Sequence, residues 1–164
     1  MKLLITREEL LERTPLGGNI DNDKITPHIL TAQDIHVQNI LGTKLYDDIV
    51  LQVEDGSIAG DNLLLWEKYI KPVLCHYAAS DFYLFHAYTI ANGGVYRHQS
   101  ENSFTPDLSE VQVLHDEQKN KAVHYRSMIV DFLCHYSYKY PAYTEYQEAG
   151  LYPDRGIADN QWTF

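Results

Sequence analysis

Apolar residues recur at three- and four-residue steps through most of this chain, and capping residues, glycine and proline separate the runs. "TREELLER" sets Thr6 and Glu9 in capping-box spacing ahead of Leu10 and Leu11, which predicts a short first helix ending before Pro15. "PLGGNIDNDKI" collects turn formers and reads as a loop. In "TPHILTAQDIHVQNILG", Thr26 is the expected cap, Pro27 the first helical residue and Gly42 the stop. A further helix follows at once, capped by Thr43 and stopped at Gly56. With one glycine between them, these two helices must meet at a sharp corner. Asp61 is the expected cap of the next helix.

Two long helices are predicted next. The first, Asn62–Asn92, is apolar nearly all round, carries Pro72 as an expected kink, and must be buried by its own core or by neighbouring subunits. The second, Leu108–Tyr140, shows a clearer stripe through Val111, Leu114, Ala122, Tyr125, Ile129, Phe132 and Tyr136. If they pair as an antiparallel hairpin, residues whose numbers total about 200 lie level, at a rise of ~1.5 Å per residue. Ile70 then falls beside Val130, and Asp81 beside Lys119. Because an unpaired carboxylate in an apolar helix is costly, Asp81 is expected to pair with Lys119 or Lys121. The expected fold is all-α: a helical bundle with two long antiparallel helices, shorter N-terminal helices and an extended C-terminal arm. Residues 1–146 form the helical domain with a mobile loop at 93–107, and residues 147–164 form a docking tail.

Composition narrows the function classes. The chain has 164 residues, 45% of them hydrophobic and 22% charged, as expected of one globular domain. Its net charge of −10 opposes gripping of nucleic-acid phosphates but suits a wall beside DNA that does not stick to it. Thirteen tyrosines against five phenylalanines lean towards contact surfaces. Two cysteines build no disulfide framework, and no apolar stretch reaches the ~18 residues of a membrane-spanning helix. The expectation is a soluble protein made in a reducing cytoplasm, with no membrane partner.

Candidate chemistry dissolves on inspection. "LCHY" occurs at Leu74–Tyr77 and again at Leu133–Tyr136, which suggests a split metal site. Cys75 lies 17 residues before the end of its predicted helix, whereas Cys134 lies 26 after the start of the other. That offset is about 13 Å along the axis, far beyond the ~2.3 Å reach of a zinc ligand. Both copies therefore read as packing. The other histidines form no helical His-x-x-x-His pair, "DND" at Asp21–Asp23 lacks the glycine and glutamate of a calcium loop, and no nucleophile motif is present. No cofactor, metal or catalytic residue is assigned.

The stretch "ITPHILTAQDIHVQNILGTKLYDDIV", the long helix bearing "YIKPVLCHYAASDF" and the closing "KYPAYTEY" carry a resemblance. Over roughly Met1–Tyr146 the chain resembles the head–tail connector, ring or head-completion proteins of tailed bacteriophages, in particular those of the crAss-like group. The resemblance implies a non-enzymatic structural virion protein, made in the bacterial host cytoplasm and placed at the head–tail interface. It implies a homo-oligomeric ring of 12 subunits below the portal, extending the channel through which genomic DNA passes without sequence-specific binding. The portal protein and the adjacent ring or tail proteins are the implied partners. Contact residues are sought in exposed aromatics of non-helical segments: Tyr96, Arg97, Phe104, Tyr140, Tyr143, Tyr146, Tyr152, Trp162 and Phe164. Gly42, Pro72, Asp81 and Lys119 are assigned structural roles. The alternative is a small helical adaptor or regulatory protein that binds a partner through its tyrosine-rich tail.

Overall fold

The computed structural model describes residues 3–17, 19–86, 88–91, 94–97, 107–145 and 150–156, with the side chains of 88–91 and 94–97 outside that description. The fold is an all-α bundle in which two long helices pack on each other. Helix α1 (Arg7–Arg13) opens with the predicted capping box: Thr6 Oγ1 accepts from Glu9 N–H at 3.2 Å, and Glu9 Oε2 from Thr6 N–H at 2.8 Å. Helix α2 (Asn22–Ala32) starts ahead of its predicted cap, so Pro27 is interior rather than first. The proline gives no N–H to Asp23, and the helix tolerates this because both residues face solvent.

A turn of π-helix at Gln33–Val37 joins α2 to α3 (Gln38–Leu41), with Gln38 N–H bonded to Gln33 O five residues back. The extra residue turns Gln33 fully inward. Its amide oxygen accepts from Leu4 N–H at 2.8 Å, and its amide nitrogen donates to Tyr46 Oη at 3.2 Å. Gly42 ends the run, and α4 (Thr43–Asp55) leaves at once and stops on the left-handed Gly56. Helix α5 (Gly60–Leu65) is not capped by Asp61, which lies in its first turn and pairs with Lys139 at 2.9 Å.

A second π-turn, Trp66–Ile70, precedes α6 (Lys71–His86). It accounts for Pro72, whose ring would clash with the carbonyl four residues earlier in a regular helix. Lys71 N–H reaches back to Trp66 O instead, so the expected kink takes the form of a π-turn. Every residue from Lys71 to Ser80 is buried. Helices α1, α2 and α7 (Leu108–His135) surround it within the same chain, so α6 finds its cover without a neighbouring subunit. Lys71 is only 5% exposed and is held by Glu9 at 2.7 Å and Glu67 at 2.6 Å. Burial opposes its charge, but the bonds to Glu67 and Glu9 outweigh that and raise its pKa.

The two long helices pair in the predicted register. Tyr69 stacks on Phe132 at 4.4 Å and His76 on Tyr125 at 5.4 Å, each within a residue of the expected level. The rotation about the axis differs from the prediction. Asp81 is half-buried, and its charge is felt by His28 and His36 on the α2 side. No ion pair joins it to Lys119 among the described residues, and Lys121 is taken by Glu117 at 2.7 Å. Register fixes height along a helix pair and leaves the facing side open.

The helix predicted to run to Asn92 ends at His86. Strand β1 (Tyr88–Ala91) pairs antiparallel with β2 (Gly94–Arg97), matching Tyr88 with Arg97 and Ala91 with Gly94. Part of the expected 93–107 loop is therefore strand, although the class stays all-α. After α7, a 3-10 turn (Ser137–Lys139) and α8 (Pro141–Thr144) close the bundle. Among the described residues no helix is long and apolar enough to cross a membrane.

Candidate functional site

At the Gly42 corner three distant pieces of sequence meet: the α3–α4 junction, α7 through Arg126, and residues 150–156. Gly42 has φ 74° and ψ 158°, a region essentially closed to residues with a side chain. A Cβ here would sit 2.7 Å from Pro153 Cδ, so the glycine also admits a second piece of chain. That piece is the arm, Gly150–Gly156, lying across the corner. Leu151 O accepts from Thr43 N–H at 3.0 Å, and Leu151 N–H donates to Thr43 Oγ1 at 2.8 Å. Asp154 N–H donates to Asn39 O at 2.8 Å. The arm thus supplies a partner to one of the last carbonyls of one helix and to the first N–H of the next, groups every helix end leaves open. Thr43, expected to cap α4, is instead its first helical residue, with its hydroxyl turned to the arm.

Arg126 fixes the far end. It lies on the buried stripe of α7, 8% exposed, and donates to Asp154 Oδ2 and Gly156 O at 2.6 Å each. Arg155 donates to Tyr143 O at 2.9 Å, and its guanidinium stands 4.8 Å over the Tyr143 ring. The arm's root is tied close by, through the ion pair between Lys44 and Glu145. These groups position a peptide.

The predicted contact residues divide sharply. Tyr140 and Tyr143, expected to be exposed, are each 1% exposed and belong to the core. Tyr140 Oη donates to Asp61 O at 2.7 Å, and burial pushes both phenols up to about 12. The "Tyr-Pro" segment of the sequence closes the bundle instead of facing outward. Tyr152 does face outward, at 55%. Tyr96 and Arg97 lie on β2 with side chains outside the description; Phe104, Tyr146, Trp162 and Phe164 lie outside the described residues altogether. Arg126, Pro153, Asp154 and Gln33 were missed. A lone Arg in an apolar helical stripe was the legible signal for the first, since buried guanidinium demands partners.

A family model matches residues 37–150, described as "Family of unknown function (DUF6712)". The chain belongs to that family. No curated protein and no solved structure matches it. The DUF6712 stretch takes in the corner, both long helices and the closing helix, and stops where the arm begins.

Elsewhere on the DUF6712 portion, an open groove of about 590 Å³ is lined by His76, Glu117, Asn120, Lys121, His124 and Tyr125. His76 Nδ1 lies 2.8 Å from Gln118 Oε1, and burial lowers the imidazole's pKa. Cys75 is buried and Cys134 exposed, so the two "LCHY" segments face different surroundings. Burial pushes the Cys75 thiol up to about 12, which leaves it protonated and unreactive. Among the described residues, no group of three or more His, Cys, Asp or Glu side chains is disposed to hold a metal ion.

Proposed function

We propose that this chain is a structural virion protein, a subunit of a ring at the head–tail junction of a tailed bacteriophage. The ring extends the DNA channel below the portal and docks the next ring or tail component. The observation that carries this reading is the corner. The first stretch through which the sequence resembles connector proteins is a contact site in which Asn39, Gly42 and Thr43 hold the arm, with Arg126 of α7 beside them. Two further features support it. Large apolar side chains are exposed at both ends of the bundle: Phe85, Leu108 and Val113 near the hairpin, and Leu51, Leu64 and Tyr138 at the other end. The net charge of −10 suits a conduit for DNA that slides without binding.

Ring formation then rests on these exposed ends and the arm, because α6 is already covered within its own chain. The test is the particle mass by light scattering and the shape by electron microscopy, alone and with a portal-type protein. A ring-shaped complex is expected, with about 12 copies in the arrangement the resemblance implies. A chain that stays monomeric and never joins such a complex would sink the reading.

A further inference from the structure

We propose that the open groove between α6 and α7 binds a single phosphate group, as free phosphate or as the phosphate of a small monoester, through His76, Asn120 and Lys121. This goes beyond the ring reading and does not depend on it. The observation that carries it is the setting of His76, which lines the groove while only 7% exposed. Gln118, 1% exposed, meets its Nδ1 at 2.8 Å. An amide oxygen only accepts, so Nδ1 carries the proton and Nε2 keeps its lone pair. Among the described residues no hydrogen bond reaches Nε2. Nor is that nitrogen sealed in, since the one enclosed side-chain polar atom without a partner among the described residues is Tyr143 Oη. The groove therefore presents an acceptor of fixed direction, the imidazole plane being set by the Tyr125 ring stacked on it at 5.4 Å and 8°.

The charges around the groove select the ligand. Lys121 and Asn120 line it, and the charges of Lys121 and Arg13 are both felt at the His76 ring. Arg13 ends α1 and makes no hydrogen bond or ion pair among the described residues. Glu117 is the opposing charge in the lining, but its bond to Lys121 is an exposed i,i+4 pair, and such pairs hold weakly. Lys121 can turn to an anion while Glu117 stays in water. Tyr83 of α6, which feels both of these charges, is kept a neutral phenol by burial. The flanking cations repel a metal ion, and among the described residues no three ligands are disposed to hold one. A carboxylate, with a pKa of about 4, arrives without a proton and faces the Nε2 lone pair with lone pairs of its own. A phosphate monoester has its second pKa at about 6. It brings anionic oxygens for Lys121 and the Asn120 amide, and still has a proton to share with Nε2. Burial keeps His76 from taking that proton out of solvent, with Lys121 and Arg13 adding to the effect and the bond to Gln118 opposing it. The rest of the groove, about 590 Å³ with the rings of Tyr125 and His124 on its wall, has room for the remainder of a small ester.

The test follows the His76 ring signal of the full chain by NMR at pH 7 and constant ionic strength, with calorimetry on the same samples. The probes are inorganic phosphate, adenosine 5′-monophosphate and sulfate, the last an oxyanion that carries no proton at this pH. A phosphate probe is expected to shift His76 saturably and to bind severalfold more tightly than sulfate, while His36, outside the groove lining, stays unmoved. Whichever phosphate probe binds more tightly identifies the source of the group, and either order supports the site. Lys121→Gln alters an exposed side chain, so it should weaken phosphate binding severalfold at an unchanged Tm. His76→Asn keeps a donor for Gln118 and removes Nε2, so it should abolish the preference for phosphate over sulfate. No saturable shift of His76 with either phosphate probe overturns the proposal. So does sulfate binding as tightly as phosphate, or phosphate binding unaltered in Lys121→Gln, and these arms decide even if His76→Asn does not fold. Particle mass plays no part in the readout, so the connector reading stands or falls separately.

Discussion

Tyr140 and Tyr143 are equally buried, yet only one of their hydroxyls is bonded. Tyr140 donates to Asp61 O, whereas Tyr143 Oη makes no well-formed hydrogen bond among the described residues and has only the side chains of Arg155 and Cys134 near it. A net hydrogen bond is worth about 1 kcal/mol, while an unpaired buried hydroxyl costs about 1–3 kcal/mol. Tyr140→Phe should therefore lower stability by about 1 kcal/mol, and Tyr143→Phe should leave it unchanged or raise it. Urea denaturation of the two variants reads this directly; a larger loss for Tyr143→Phe would refute the assignment. Gly42 makes a stronger demand. Gly42→Ala imposes a side chain on a backbone state reserved for glycine, at about 1–3 kcal/mol, and pushes Pro153 away. We expect a lower urea midpoint together with faster proteolysis at Arg155, the second effect reporting release of the arm.

At the scale of elements, the arm is held more by charge and backbone bonds than by apolar burial, so it should detach without unfolding the bundle. Asp154→Ala removes the carboxylate that Arg126 clasps. Because that carboxylate is half exposed, global stability should fall by only about 1 kcal/mol or less. Tryptic cleavage after Arg155 should nevertheless accelerate severalfold. An unchanged cleavage rate would show that the clasp does not hold the arm.

The helices themselves were legible in the sequence wherever spacing and caps agree. Thr6 and Glu9 marked α1, Gly42 and Gly56 bounded α4, and the long pair gave its own register. Boundaries failed where two local preferences compete. Tyr88-Thr89-Ile90 continued an apolar run, but Asn92-Gly93 behind it is the strongest short signal for a hairpin, and the chain forms strands there. The π-turns at Gln33 and Trp66 were hidden because one inserted residue changes no propensity. The corner was visible as a turn, but its second layer was not. Nothing in "LYPDRG" announces that two of its partners, Asn39 and Thr43, lie more than a hundred residues earlier.

For the molecule as a whole, three partly buried imidazoles set a pH dependence. His28, His36 and His76 all have pKa values lowered below 6.5, burial being the leading cause in each. Asp81 opposes the effect at His28 and His36, and the bond to Gln118 opposes it at His76. The folded state thus binds fewer protons than the unfolded chain in this range. Their contribution to stability is complete above about pH 6.5 and is lost as pH falls through the folded values. Tm should decline from pH 7.5 to pH 5. The slope should be shallower in His36→Phe, which keeps a ring against Tyr77 but removes a proton site. A variant slope equal to that of the parent would exclude His36 from the effect.

The corner also fixes an order of events during synthesis. Thr43 and Leu151 are 108 residues apart, and at about 5–20 residues per second the ribosome needs several seconds to pass from one to the other. Through that interval the Thr43 N–H and the carbonyl of Asn39 lack the partners that the arm later brings. The nascent chain therefore carries a corner that is still open, and the bonds that close it wait until the arm has been made.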